Sequence, residues 1–142
     1  MPNIKIRAYD LNAVNLEAAL ADGVINDFDD LEGVVKVSDV IVLALPPISN
    51  INMIEKLSEI VGENSIVTDV SSVKTAIRAA VELAPEPFQR KFVLGHPIAG
   101  SERRGYGAAS HNLFDGRNVI LTPHSSTSTL AVGSSKNNSL GS

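Results

Sequence analysis

The sequence has no cysteine, which removes disulfide bridges, thiolate metal sites and a cysteine nucleophile together and fits a reducing compartment. No apolar run approaches the ~20 residues that cross a bilayer. The opening Met1-Pro2-Asn3-Ile4-Lys5 also lacks the apolar stretch of a secretion signal. The expectation is a cytoplasmic protein with no membrane partner. Positive charge is in short supply as well: 12 Lys and Arg stand against 16 Asp and Glu, a net charge of −4 over 142 residues. No general electrostatic grip on nucleic acid is expected from that balance. With 44% hydrophobic and 20% charged residues, the composition is that of a globular chain rather than a disordered one. The length suits one domain with a modest core.

Two periodicities alternate along the chain. Ile4 to Ala8 alternates apolar and polar residues and ends at Tyr9-Asp10, a short strand. Leu11 to Ala21 has helical spacing, with Asn12 placed to cap its start and Gly23 just past its end. Val24-Ile25 reads as a further short strand, and Asp30 to Lys36 as a short helix capped by Asp29 or Asp30. Val40 to Leu45 is an uninterrupted aliphatic run that stops at Pro46-Pro47. Such a run suits a parallel strand covered on both faces. Ile51 to Ile60 carries a helical stripe, Ser65 to Val70 reads as another buried strand, and Val73 to Leu83 as a helix stopped by Pro85 and Pro87. Lys91 to Gly95 and Asn118 to Pro123 complete the strands. Strands and helices alternating at this spacing define an α/β class, a doubly wound and mostly parallel sheet, over residues 1–123. Beyond Pro123 the composition turns to Ser, Thr and Asn, and residues 124–142 are expected to form a disordered tail.

Four features bear on chemistry. Asp10, at the tip of a strand, is placed as a carboxylate that holds an adenosine ribose in dinucleotide-binding sheets; an ordinary turn aspartate reads the same way. A G-x-G-x-x-G loop should lie ~20 residues before such an acid, yet only nine residues precede Asp10 and none is glycine. Either the domain binds no dinucleotide, or its first β-loop-α unit lies outside this sequence. Third, Thr68-Asp69-Val70-Ser71-Ser72-Val73-Lys74 runs from a strand into hydroxyl residues that open a helix. Ser71 or Ser72 suits a plain N-cap there, or a contact to an anion or polarised hydroxyl. Fourth, Leu94-Gly95-His96-Pro97-Ile98-Ala99-Gly100-Ser101-Glu102 puts a histidine at the carboxyl end of a strand, where open α/β sheets bind ligands. An imidazole there can take a proton near neutral pH, and the flanking glycines would let a ligand approach the backbone. His111 reads as a surface residue, and Arg103 and Arg104 as solvated loop arginines or substrate-carboxylate contacts. No metal-type spacing joins the histidines.

Taken together, the Thr68–Lys74 and Gly95–Glu102 motifs resemble those of the prephenate dehydrogenase family, with Ser71 in place of its usual glycine. Val40 to Pro46, Asn15 to Ile25, Leu113 to Gly116 and Leu121 to Pro123 fit the same resemblance, which covers roughly residues 4 to 123. It implies a Rossmann-like nucleotide-binding domain and an oxidoreductase of tyrosine biosynthesis. That reaction moves a hydride from the ring of prephenate to NAD, with NADP the alternative, and releases carbon dioxide to leave 4-hydroxyphenylpyruvate; arogenate is the alternative substrate. By the resemblance, the catalytic residues are His96, which takes the proton of the ring hydroxyl, Ser72, which helps place it, and Glu102, in the substrate-side loop. The cofactor would meet Asp10 at the ribose and Leu45, Pro46 and Ser71 along the cleft. The family also implies a homodimer built largely by a second, helical domain. Two departures stand out: neither the first strand with its glycine-rich loop nor that second domain is in these 142 residues. The expectation is an incomplete sheet and a chain that does not turn over prephenate alone. Another dehydrogenase of the same superfamily, acting on a 3-hydroxyacid or a pyrroline-carboxylate, and a non-catalytic truncated product are the alternatives.

Overall fold

In the computed structural model, the described residues are 3–99, 105–123 and 127. Strands and helices alternate as β1 (Arg7–Ala8), α1 (Ala13–Ala21), β2 (Asp27–Phe28), α2 (Leu31–Lys36), β3 (Val40–Leu43), α3 (Pro47–Ile60), β4 (Ile66–Asp69), α4 (Lys74–Leu83), α5 (Glu86–Gln89), β5 (Phe92–Pro97) and β6 (Val119–Thr122), with a 3₁₀ turn at Tyr106–Ala108. The strands form two sheets. One is the parallel pair β1–β2; the other has the order β3-β4-β5-β6, parallel up to β5 and closed by the antiparallel β6.

Local chemistry explains most boundaries. Asn12 caps α1 by accepting the Val14 N–H, and Gly23 takes a positive φ just beyond the helix, a conformation that costs glycine nothing. Asp30 caps α2 by accepting from Gly33 N at 2.8 Å. Pro47 opens α3, where a missing N–H removes no helical bond.

Several expectations are corrected. The strand before α2 falls at Asp27–Phe28 rather than Val24-Ile25. Val24 and Ile25 are instead held by Ala19 O at the end of α1, so their backbone donors serve the helix terminus. Pro85 ends α4 but starts a new turn, α5, which contains Pro87. A proline is compatible with the first turn of a helix. No serine caps α4: its N-cap is Val73, which makes no side-chain cap bond. β5 runs two residues further than the apolar pattern suggests, through His96 and Pro97, because β6 pairs with it there. Val42 is 54% exposed, so β3 is not covered on both faces.

Two apolar clusters accompany the two sheets. The larger gathers Val35, Leu43, Ile54, Leu57, Val67, Ile77, Val81, Phe88, Phe92, Leu94 and Met53 between the four-stranded sheet and α2, α3, α4 and α5. The smaller has only Leu16, Ala19 and Ile25 buried, with Ala8, Phe28 and Tyr106 against them. Tyr9, next to Asp10, packs on the larger cluster. Among the described residues, no helix is long and apolar enough to cross a membrane.

Candidate active site

Parallel strands that each lead into a helix bring their carboxyl ends to one edge of the sheet. Here β3, β4 and β5 deliver Leu45, Ser71 and His96 to that edge. Asp69, the last residue of β4, organises it. Its carboxylate is buried and spends both oxygens on neighbours: Oδ1 accepts from Gly95 N at 3.1 Å, and Oδ2 accepts from Ser71 N at 3.1 Å and Lys74 Nζ at 2.5 Å. A buried carboxylate is tolerated when paired and hydrogen-bonded in this way. One side chain therefore ties the loop after β4, the start of α4 and the tip of β5.

His96 follows Gly95 directly. It is half-buried and sits opposite Ile120 of β6. Its imidazole makes no hydrogen bond to another described residue. Gly95 turns out to serve the sheet rather than a ligand. A Cβ there would stand 2.6 Å from the backbone oxygen of Asp69 and 3.0 Å from Thr68 Oγ1, so the close approach of β4 and β5 requires glycine.

The two serines separate in role. Ser72 is exposed at the edge, while Ser71 is buried and its hydroxyl accepts from Asn50 Nδ2 at 2.7 Å. Asn50 also accepts the Leu45 N–H at 3.1 Å. Leu45 is half-buried and Pro46 exposed at the mouth of the same edge. Asp10 lies apart from this network, at the end of β1 in the other sheet. It is half-buried, and one of its oxygens accepts from Asn12 N at 2.9 Å. Thus the structure brings Leu45, Pro46, Ser71, Ser72 and His96 to one sheet edge and gives Asp10 no hydrogen bond to them. His111 is exposed. Glu102, with Gly100, Ser101, Arg103, Arg104, His124 and all of the 124–142 segment but Thr127, lies outside the described residues. Among the described residues no cluster of His, Asp and Glu could hold a metal ion.

Sequence patterning passed over Asn50, Asp69 and Lys74. Asn50 had a signal: it shares a helix face with Met53, Ile54 and Leu57, all buried, so a polar residue stands on the apolar stripe. Asp69 follows buried Val67 at the strand period of two.

A doubly wound α/β sheet with small polar residues and a histidine at its carboxyl edge is the architecture of a nucleotide-binding domain. The profile described as "Prephenate dehydrogenase, nucleotide-binding domain" matches residues 1–138. The chain belongs to that family. It is 35% identical to a prephenate dehydrogenase of Bacillus subtilis over 139 residues, 96% of this chain and 37% of the relative. It is 27% identical to a cyclohexadienyl dehydrogenase of Zymomonas mobilis, over 92% of this chain and 44% of the other. Among solved structures, prephenate dehydrogenase from Aquifex aeolicus, in complex with hydroxyphenyl propionate and NAD+, superposes with a TM-score of 0.83 at 30% identity. That alignment covers 96% of this chain and 47% of the other. Synechocystis arogenate dehydrogenase gives 0.79 at 26% identity, over 94% and 46%. The chain thus spans less than half the length of each of these relatives.

Proposed function

We propose that this chain is the nucleotide-binding part of an NAD-dependent, cytoplasmic dehydrogenase that converts prephenate to 4-hydroxyphenylpyruvate. The observation that carries the reading is His96. It has no described hydrogen-bond partner, and Asp69 anchors the preceding amide at the sheet edge where Ser72 is exposed.

The residues present fit two parts of the cofactor. Asp10 keeps a carboxylate oxygen with no donor among the described residues, suited to a ribose hydroxyl. A carboxylate there also disfavours the extra phosphate of NADP. Leu45, Pro46 and the Ser71–Ser72 turn would line the nicotinamide end. NAD, when bound, supplies the hydride acceptor. The imidazole of His96 takes the proton of the ring hydroxyl as hydride leaves the same carbon, and returns it to that oxygen as carbon dioxide departs and the ring becomes aromatic. Ser72 hydrogen-bonds the same region and orients the histidine, and Glu102 takes part in the same reaction. The homodimer and the remaining substrate contacts belong to a helical domain beyond these residues.

Titration with NAD tests this. The 142-residue chain should bind weakly, and a version extended upstream by the ~25–30 residues of a glycine-rich βα unit should bind well. In the full-length enzyme, His96→Asn should lower the rate of 4-hydroxyphenylpyruvate formation by about 10²–10⁴-fold, the usual yield of a general base. Failure of the extended version to bind NAD would sink the assignment. Parallel assays with arogenate decide the substrate.

A further inference from the structure

We infer that Asn50 and Ser71 form a matched staple that sets the spacing of the β3 and β4 tips, making Asn50 a positioning residue for the cofactor wall; the second half of this claim rests on the function proposed above. The backbone ladder between β3 and β4 runs out where Val70 N donates to Leu43 O at 3.1 Å. Beyond that point the strands would be free to splay. Asn50 carries the connection two residues further: its Oδ1 holds the Leu45 N–H and its Nδ2 holds Ser71 Oγ. Leu45 precedes Pro46, which has no N–H to offer, so the Leu45 amide is the last backbone donor at the β3 tip. Asn50 is 0% exposed. A buried amide is costly unless its polar atoms are engaged, so each partner makes the other tolerable. Ser71 also gives its N–H to Asp69 Oδ2, and Asp69 Oδ1 holds Gly95 N. The staple therefore joins a continuous line from Leu45 through Asn50, Ser71 and Asp69 to the residue before His96, with Ser72 presented beside it.

The test uses the 142-residue chain and the variants Ser71→Ala, Asn50→Ala, their double, and Ser71→Thr, read by amide hydrogen exchange and nitrogen–proton correlation spectra. Ser71→Ala should speed exchange of the Leu45 amide about tenfold, the factor that one buried hydrogen bond corresponds to, and should move the Ser72 resonance. Amides of the α4 interior should keep their rates. The double variant should exchange no faster at Leu45 than Asn50→Ala, and Ser71→Thr should behave as the parent. The proposal is overturned if Leu45 and Ser72 are unmoved in Ser71→Ala, or if all strands of the sheet speed up equally. NAD titration of the same variants in the upstream-extended chain separates the two claims. Weaker binding in Ser71→Ala, restored in Ser71→Thr, supports both. Equal binding by all variants removes the positioning role. No binding by the parent, with Leu45 and Ser72 still perturbed in the variants, removes the cofactor reading and leaves the staple standing.

Discussion

The amide of Gly95 donates to the buried carboxylate of Asp69 at 3.1 Å, and a methyl group on Gly95 would lie 2.6 Å from the backbone oxygen of that same aspartate. The two residues are thus fitted to each other twice, by a bond and by the lack of a side chain, one position before His96.

Gly95→Ala should therefore be costly. The clash is with backbone, which cannot swing aside, and overpacking of this kind destabilises by about 1–3 kcal/mol. Chemical denaturation should show a lowered midpoint. The His96 ring resonances should shift with it, since β5 must move away from β4. A midpoint equal to that of the parent would mean that β4 and β5 can part at no cost.

Lys74→Met should destabilise the fold more than loss of a surface ion pair. Asp69 is fully buried and Lys74 only 21% exposed, so the variant leaves a carboxylate in the interior without its cation. Breaking a buried pair on one side costs on the order of 3 kcal/mol, whereas an exposed pair such as Lys36–Glu32 is worth about 0–1 kcal/mol. Urea melts of Lys74→Met and Lys36→Met side by side check the ordering, and equal small losses would contradict it.

Tyr106 gives a pH signature. Its hydroxyl donates to Asp22 Oδ2 at 2.8 Å, and that bond, with desolvation and the aspartate charge adding to it, raises the phenol above its ordinary value of 10.0. A raised acid favours the folded state while protonated. The contribution is complete below the unfolded value of about 10 and is lost as pH climbs through the higher folded value. Stability of the parent should fall over that alkaline interval by more than stability of Tyr106→Phe, as read from denaturation midpoints taken at successive pH values. Parallel curves would break the link between Tyr106 and Asp22.

The β1–β2 unit should open before the rest. Each fully buried aliphatic side chain contributes about 1.5–3 kcal/mol. The smaller cluster holds three buried residues, Leu16, Ala19 and Ile25, against eleven in the larger. Amides of α1 and β2 should exchange faster than those of β4 and β5 in the native chain. A single common rate would show that the two sheets unfold together.

Much of this was legible beforehand. The aliphatic runs at Val40–Leu45 and Ser65–Val70 announced parallel strands, and Asn12 and Asp30 marked helix starts by local bonding alone, whereas α3 begins at Pro47, ahead of the Ile51–Ile60 stripe. The motif around His96 pointed to a strand end, and His96 lies in the last two residues of β5. What stayed hidden depends on contacts distant in sequence. Asp69 looks like any strand-ending acid until Gly95 and Lys74 close on it. Ser71 looks like a helix cap until Asn50 claims its hydroxyl. Val24 and Ile25 have the residue types of a strand but sit where the end of α1 needs donors. The reach of β5 through Pro97 was set by β6, a partner that no local pattern within β5 records.

That partner has a further effect. Because β6 returns against β5 and sets Ile120 across from His96, the backbone at residue 96 is held by a strand from much later in the chain. A substitution at Ile120 therefore alters the strand neighbour of residue 96 from two dozen positions downstream.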